Sequence, residues 1–192
     1  MTMTPVFPID FNDVRIAFFE SIKKVTLLDQ QHIIYEQPET QDVTRPKEKP
    51  YMSFFLTVPA SKTGDDSKRY VSGNKWNSGG VRKMTVSFNS YGRSHEEAYN
   101  YMCLWQTALD LEDIQEDLRR SGIAVWIIGN VADLSKLLNT GYEGRSHMEC
   151  TFGIAANLVS DLGSIDTVPV HGKIFTQDGQ EIDTDQTISK EG

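Results

Sequence analysis

The chain has 192 residues, 39% of them hydrophobic and 24% charged, enough apolar material for one packed domain and too much for a disordered segment. Nineteen Lys and Arg stand against 27 Asp and Glu, a net charge of -8, so the surface as a whole is not a phosphate-binding platform. No apolar run approaches the ~20 residues of a membrane span, and the first ten residues lack both the cationic start and the apolar stretch of a signal peptide, so a cytoplasmic chain with no membrane partner is expected.

Asp10 stands where a helix N-cap is wanted, and Phe11, Val14, Phe18, Ile22 and Val25 follow at three- and four-residue steps. That spacing draws one apolar stripe along a helix ending near Thr26. His32 to Tyr35 reads as a short strand. Residues 37–50 turn polar and contain Pro38, Pro46 and Pro50, which exclude regular pairing and mark a linker or extended arm. Tyr51 to Val58 alternates as a strand, with Met52, Phe54, Leu56 and Val58 on one side. Between residues 59 and 80 come Gly64, Gly73, Gly79 and Gly80 among Ser, Asn, Lys and Asp, which predicts a long loop or a flexible hairpin. Loops of this length are usually functional. Val81 to Tyr91 alternates again and should pair antiparallel with the preceding strand.

Ser94 and Glu97 have capping-box spacing, and the helix they open should bury Ala98, Tyr101, Met102, Trp105, Ala108 and Leu109. Asp110 is expected to cap a second helix with Leu111, Ile114 and Leu118 inward, closed by Gly122 in a left-handed conformation. Ile123 to Ile128 is an apolar run of strand length. Asn130 to Leu138 looks like a short helix or turn with Leu134, Leu137 and Leu138 packed inward. Gly144 to Leu158 alternates, Met148, Cys150, Phe152 and Ile154 against His147, Glu149, Thr151 and Gly153, as a strand with one wet side. Val168 to Phe175 and Gln180 to Asp183 flank Asp178 and Gly179, a hairpin signal; from Thr184 onward disorder is expected. The fold class is α+β, an antiparallel sheet packed against two to three helices. Residues 1–163 form the domain and residues 164–192 the C-terminal hairpin and tail.

Nothing in this order resembles a reactive constellation. The nucleophile elbow, the metalloprotease HExxH, the phosphate loop and the dinucleotide glycine pattern are all missing, and the four histidines are scattered. Cys103 and Cys150 sit in apolar patterns that would bury two free thiols, without a second ligand at metal spacing. The acids Asp110, Glu112, Asp113, Glu116 and Asp117 fit a solvated first helical turn, which the helix dipole favours. No catalytic residue, metal or cofactor is predicted. Charge is nevertheless uneven: from Lys62 to Lys83 there are six cations, Lys62, Lys68, Arg69, Lys75, Arg82 and Lys83, against Asp65 and Asp66, a local balance of +4. With Tyr70 and Trp76 interleaved, this stretch could hold a single nucleic-acid strand, but on an acidic protein docking to an acidic protein surface is the favoured reading. Gly79 and Gly80 could form a backbone nest for phosphate, without a helix start behind them.

Several segments together resemble one family. Arg45-Pro46 leading into Pro50-Tyr51-Met52-Ser53-Phe54, the strand Val81 to Gly92, Gly122-Ile123-Ala124-Val125 followed by Gly129 to Ser135, and the stretch Tyr142 to Gly153 look like the phage neck terminator family, itself similar to the tail terminators of long-tailed phages. The likeness runs from about Arg45 to Val170. It implies a tail-terminator-like α+β fold and six copies closing into a ring in the virion, at the head-tail junction, after assembly in the host cytoplasm. Such rings cap the tail tube, stop its polymerisation and present a surface to head-completion proteins, while genomic DNA passes through the hole. A head-completion or adaptor protein one layer higher in the neck is the alternative, and a nucleic-acid-binding accessory protein a further one. On this reading the interface candidates are Lys62, Lys68, Arg69, Lys75, Trp76, Arg82 and Lys83 in the basic segment, facing the tube or the lumen. In the hairpin they are Lys173, Phe175, Asp178 and Gly179, reaching an adjacent subunit or the partner ring.

Overall fold

The computed structural model describes residues 8–36, 48–71, 75–138, 141–161, 167–175 and 181–189, with the backbone alone at 70–71, 75–76, 137–138, 141–142, 160–161, 167–175 and 181–189. Its contacts divide it into two compact units, one of residues 1–67 and 78–158 and one of residues 68–77 and 159–192.

In the first unit, helix α1 (Phe11–Thr26) begins where Asp10 accepts hydrogen bonds from the backbone N–H groups of Asn12 and Asp13, at 2.8 and 3.4 Å. Its stripe buries Val14, Ala17, Phe18 and Ile22. The helix ends at Thr26, and Leu27 takes the left-handed conformation at φ 56°. Strand β1 (Ile33–Tyr35) pairs parallel with β2 (Tyr51–Lys62), and β2 pairs antiparallel with β4 (Lys75–Gly92), with Phe54 opposite Phe88. The sheet continues through β8 (Gly141–Asp161) to β5 (Ile123–Ile127), in the order β1-β2-β4-β8-β5. Strands β6 (Ala132–Asp133) and β7 (Lys136–Leu138) pair with β8, and β3 (Ser67–Val71), whose residues 68–71 fall in the second unit, pairs with β4. The result is a mixed, mostly antiparallel sheet with helices packed on it, an α+β fold.

Phe18 is the pivot of the core. Its ring centroid lies 6.0, 5.9 and 4.9 Å from those of Phe54, Phe88 and Phe152, one ring from each of three successive strands. Trp105 of α2 (His95–Ala108) reaches Phe88 at 5.5 Å. All five side chains are fully buried, and burial of each contributes about 1.5–3 kcal/mol, so α1 and α2 are held to the sheet by one aromatic cluster.

Ser94 caps α2 by accepting from Glu97 N–H at 3.1 Å, but the return bond shifts by one residue, since the Glu97 carboxylate accepts from Arg93 N–H at 2.6 Å. Tyr101 is partly buried, and the other five side chains expected inward are buried. Helix α3 (Glu112–Arg120) departs from expectation at its start. Leu111 holds the N-cap position with no side-chain cap, so Asp110 does not cap it, and Leu111 is 51% exposed. Ile114 and Leu118 are buried. Gly122 has φ +73°, and its N–H and that of Ser121 bond back to Arg119 and Leu118 carbonyls, the left-handed stop the helix end requires.

Residues 130–138, expected as a helix or turn, contain instead the short strands β6 and β7, which run along β8. Leu134 lies exposed between them. A register of strand against β8 satisfies this backbone, which four-residue apolar spacing alone does not reveal. On β8 the core face holds Met148, Cys150, Phe152 and Ile154, all buried, and Cys103 on α2 is half-buried where burial was expected. Both cysteines are free thiols.

In the second unit, β9 (Thr167–Phe175) and β10 (Glu181–Ser189) form a two-stranded antiparallel sheet in unbroken register from Phe175↔Glu181 to Thr167↔Ser189. Strand β10 therefore includes residues 184–189, where disorder was expected.

Candidate functional site on the arm and the sheet edge

Much of residues 59–80, expected as a long loop or flexible hairpin, is strand, and together with residues 81–83 it is the basic arm; the linker or arm expected at residues 37–50 lies, from 37 to 47, outside the described residues. Strand β2 continues past two register shifts to Lys62, and β4 begins at Lys75. Side-chain hydroxyls tie the polar stretch to β4: Ser61, Thr63 and Ser67 donate to the carbonyls of Lys83, Val81 and Gly79 at 3.3, 2.9 and 3.2 Å. The Ser and Thr that read as loop residues thus serve as strand clips.

In the register, Lys62 faces Arg82, two like charges directly opposite, which is destabilising unless compensated. Asp66 supplies the compensation. Arg82 holds its carboxylate with both Nη atoms, at 2.7 and 2.9 Å, and Lys62 Nζ lies 3.8 Å away. The guanidinium bond, opposed by burial and helped by Lys62, keeps the Asp66 carboxyl below its usual 3.8, and Arg82 is raised for the same reason. Gly80 lies where a Cβ would collide with Asp66, and Gly79 where one would collide with Asn157. These two glycines are strand residues making room for neighbours.

The expected cluster of six cations thus divides. Lys62 and Arg82 are engaged with Asp66, while Lys68 and Arg69 on β3 and Lys83 on β4 are exposed. Lys75 and Trp76 begin β4 and Lys173 and Phe175 end β9, with the backbone alone described at all four. Asp178 and Gly179 lie outside the described residues.

The acidic group on α3 is internally paired. Lys24 of α1 bridges Asp113 at 3.0 Å and Asp117 at 2.7 Å, and Arg119 binds Glu112 at 2.7 Å. Lys24 holds the Asp113 carboxyl below its usual value and is itself raised, chiefly by Asp117. These carboxylates clamp α3 to α1.

On the sheet face away from the helices, His147 Nδ1 lies 3.2 Å from Asn89 Oδ1 and 3.4 Å from Ser87 Oγ, and Arg145 donates to Asn89 Oδ1 at 3.1 Å. A serine beside a histidine is the start of a nucleophilic pair, but Ser87 and Asn89 are buried and the group joins β4 to β8. His95 Nδ1 lies 2.9 Å from Asp133 Oδ2, which brings α2 against β6.

One surface was not anticipated. Strand β5 ends the sheet, with Trp126 45% and Ile127 62% exposed. A register shift between Val125 and Ile127 turns the Trp126 indole over Gly153, where it fills the space of a Cβ. The sequence signal was Gly153 itself, a glycine inside an alternating strand, which marks a bulge or a close approach.

The sequence model of a family described as phage neck terminator protein matches residues 12–178, a span that includes all of α1 but its first residue, the whole main sheet, α2, α3 and β9. Comparison with curated proteins gave no match. Among the described residues no helix is long and apolar enough to cross a membrane. With most of its length matched, from the Phe18-bearing helix to the end of the sheet and beyond, the chain belongs to the phage neck terminator protein family.

Proposed function

We propose that this structural neck protein of a phage virion acts by assembly: six copies close into a ring at the head-tail junction. The ring caps the tail tube, ends its polymerisation and offers its other face to the head-completion proteins. DNA passes through the lumen. The observation that carries the reading is the family match across residues 12–178. The exposed cations of the arm, Lys68, Arg69 and Lys83, support contact with an acidic surface of the tube, and the β9–β10 hairpin supports contact with an adjacent subunit or the partner ring. A net charge of -8 suits a DNA conduit, since a strongly basic lumen would retain the phosphates.

Native mass spectrometry and negative-stain microscopy of the full chain, alone and with tail-tube protein, test this. The expected outcome is a particle of six times the 21.7 kDa chain mass with a central hole, seated on tube ends. A chain that stays monomeric with and without tube protein contradicts it. Rings that bind head-completion protein but never tube ends would move the protein one layer up the neck.

A further inference from the structure

The outer edge of β5 has no partner strand among the described residues, and it carries Trp126 and Ile127 exposed. A row of unpaired backbone groups beside large apolar side chains is a template for another strand, and proteins usually blunt such an edge with Lys, Pro or inward charge. Ile123–Ile127 has none of these. Its bulge serves to lay Trp126 over Gly153 and leaves Ile123, Ala124 and Val125 in regular pairing with β8.

We propose that this edge receives strand β10 from a second copy of the chain, an inference that rests on the ring reading above. Two observations select that occupant, and a third is compatible with it. A row of backbone donors and acceptors is matched by another extended strand, and side chains beside it supply the specificity. β9 and β10 form a sheet of only two strands, with residues 68–77 in the same unit, and a two-stranded sheet gains stability from a third strand. The charges do not oppose the pairing: β10 contains Glu181, Asp183 and Asp185 and no Lys or Arg, and β5 has no carboxylate to repel them. Donor and acceptor are different parts of the chain, so the contact is head-to-tail and repeats until the rotation closes a ring.

Two full-length variants test the assignment. Ile127→Glu charges the edge at a position already exposed, and the pair Asp183→Pro with Asp185→Pro removes backbone donors from β10. Each alone is expected to lower the ring fraction at least about tenfold while keeping the monomer's far-UV spectrum. Should Ile127→Glu lose that spectrum, Ile127→Ser replaces it. Mixed one to one, the intact β10 of the edge variant still docks on the intact edge of the β10 variant. Heterodimers holding one copy of each should then appear in native mass spectra, without closed rings. Rings from either variant alone overturn the proposal, as does a mixture of folded chains without heterodimers, which would leave β10 on its own chain or unused. A wild-type chain that forms no ring would instead remove the ring reading itself, so the two failures are distinct.

Discussion

Cys150 lies on the core face of β8 between Met148 and Phe152, and burial pushes its thiol up to about 11. The thiolate is the reactive form, so at pH 8 on the order of one Cys150 in a thousand is ionised, and packing shields even that fraction. Cys103, half-buried on α2, is better placed to react. An alkylating reagent at pH 8 is expected to add one group to the native chain, on Cys103, and a second only after unfolding. Peptide mass mapping that found Cys150 labelled as fast as Cys103 would contradict its place in the core. The glycines divide in the same residue-level way. Gly122 was readable because a left-handed helix stop asks for that residue type, whereas Gly153 signals a bulge or a close approach without saying which side chain fills the space, and that side chain is Trp126.

At the scale of elements, those with an internal signal were legible. The stripe of α1, the Ser94 cap and the alternation of β8 each state their period within one segment. What escaped was decided between segments. Residues 59–80 read as a long loop or a flexible hairpin because Ser, Thr and Gly are turn formers, and what the segment does not state is that its hydroxyls bond to β4 carbonyls some 12 to 22 residues away. Asp110 had the chemistry of a cap, but Leu111 occupies the position. The candidate site was half legible for the same reason: sequence located the cations, and only the register showed Asp66 neutralising Lys62 and Arg82. The arm's free charge therefore lies in residues outside that pairing. Replacing Lys68, Arg69 and Lys75 together by Glu is expected to block joining to tails while the melting temperature of the chain stays within about 2 °C, because surface substitutions away from packed features cost little. Normal tail joining by that triple variant, measured as infectious particles in a complementation assay, would reject the arm as the tube contact.

For the whole molecule, two contacts of different physical kind are proposed, and solution conditions should separate them. Contact between the basic arm and an acidic tube surface is long-range electrostatics between exposed groups, screened as the Debye length falls from about 10 Å at 0.1 M salt to about 3 Å at 1 M. Closure of the ring through β5 and β10 rests on backbone hydrogen bonds and on the apolar surface of Trp126 and Ile127, which salt does not weaken. Raising salt from about 0.1 to about 1 M is thus expected to release tubes from rings by roughly tenfold or more and to leave ring mass unchanged. Sedimentation of ring and tube mixtures across that range reads both. Dissociation of the rings at the same salt as the tubes would mean that charge, rather than the open edge of the sheet, holds the copies together.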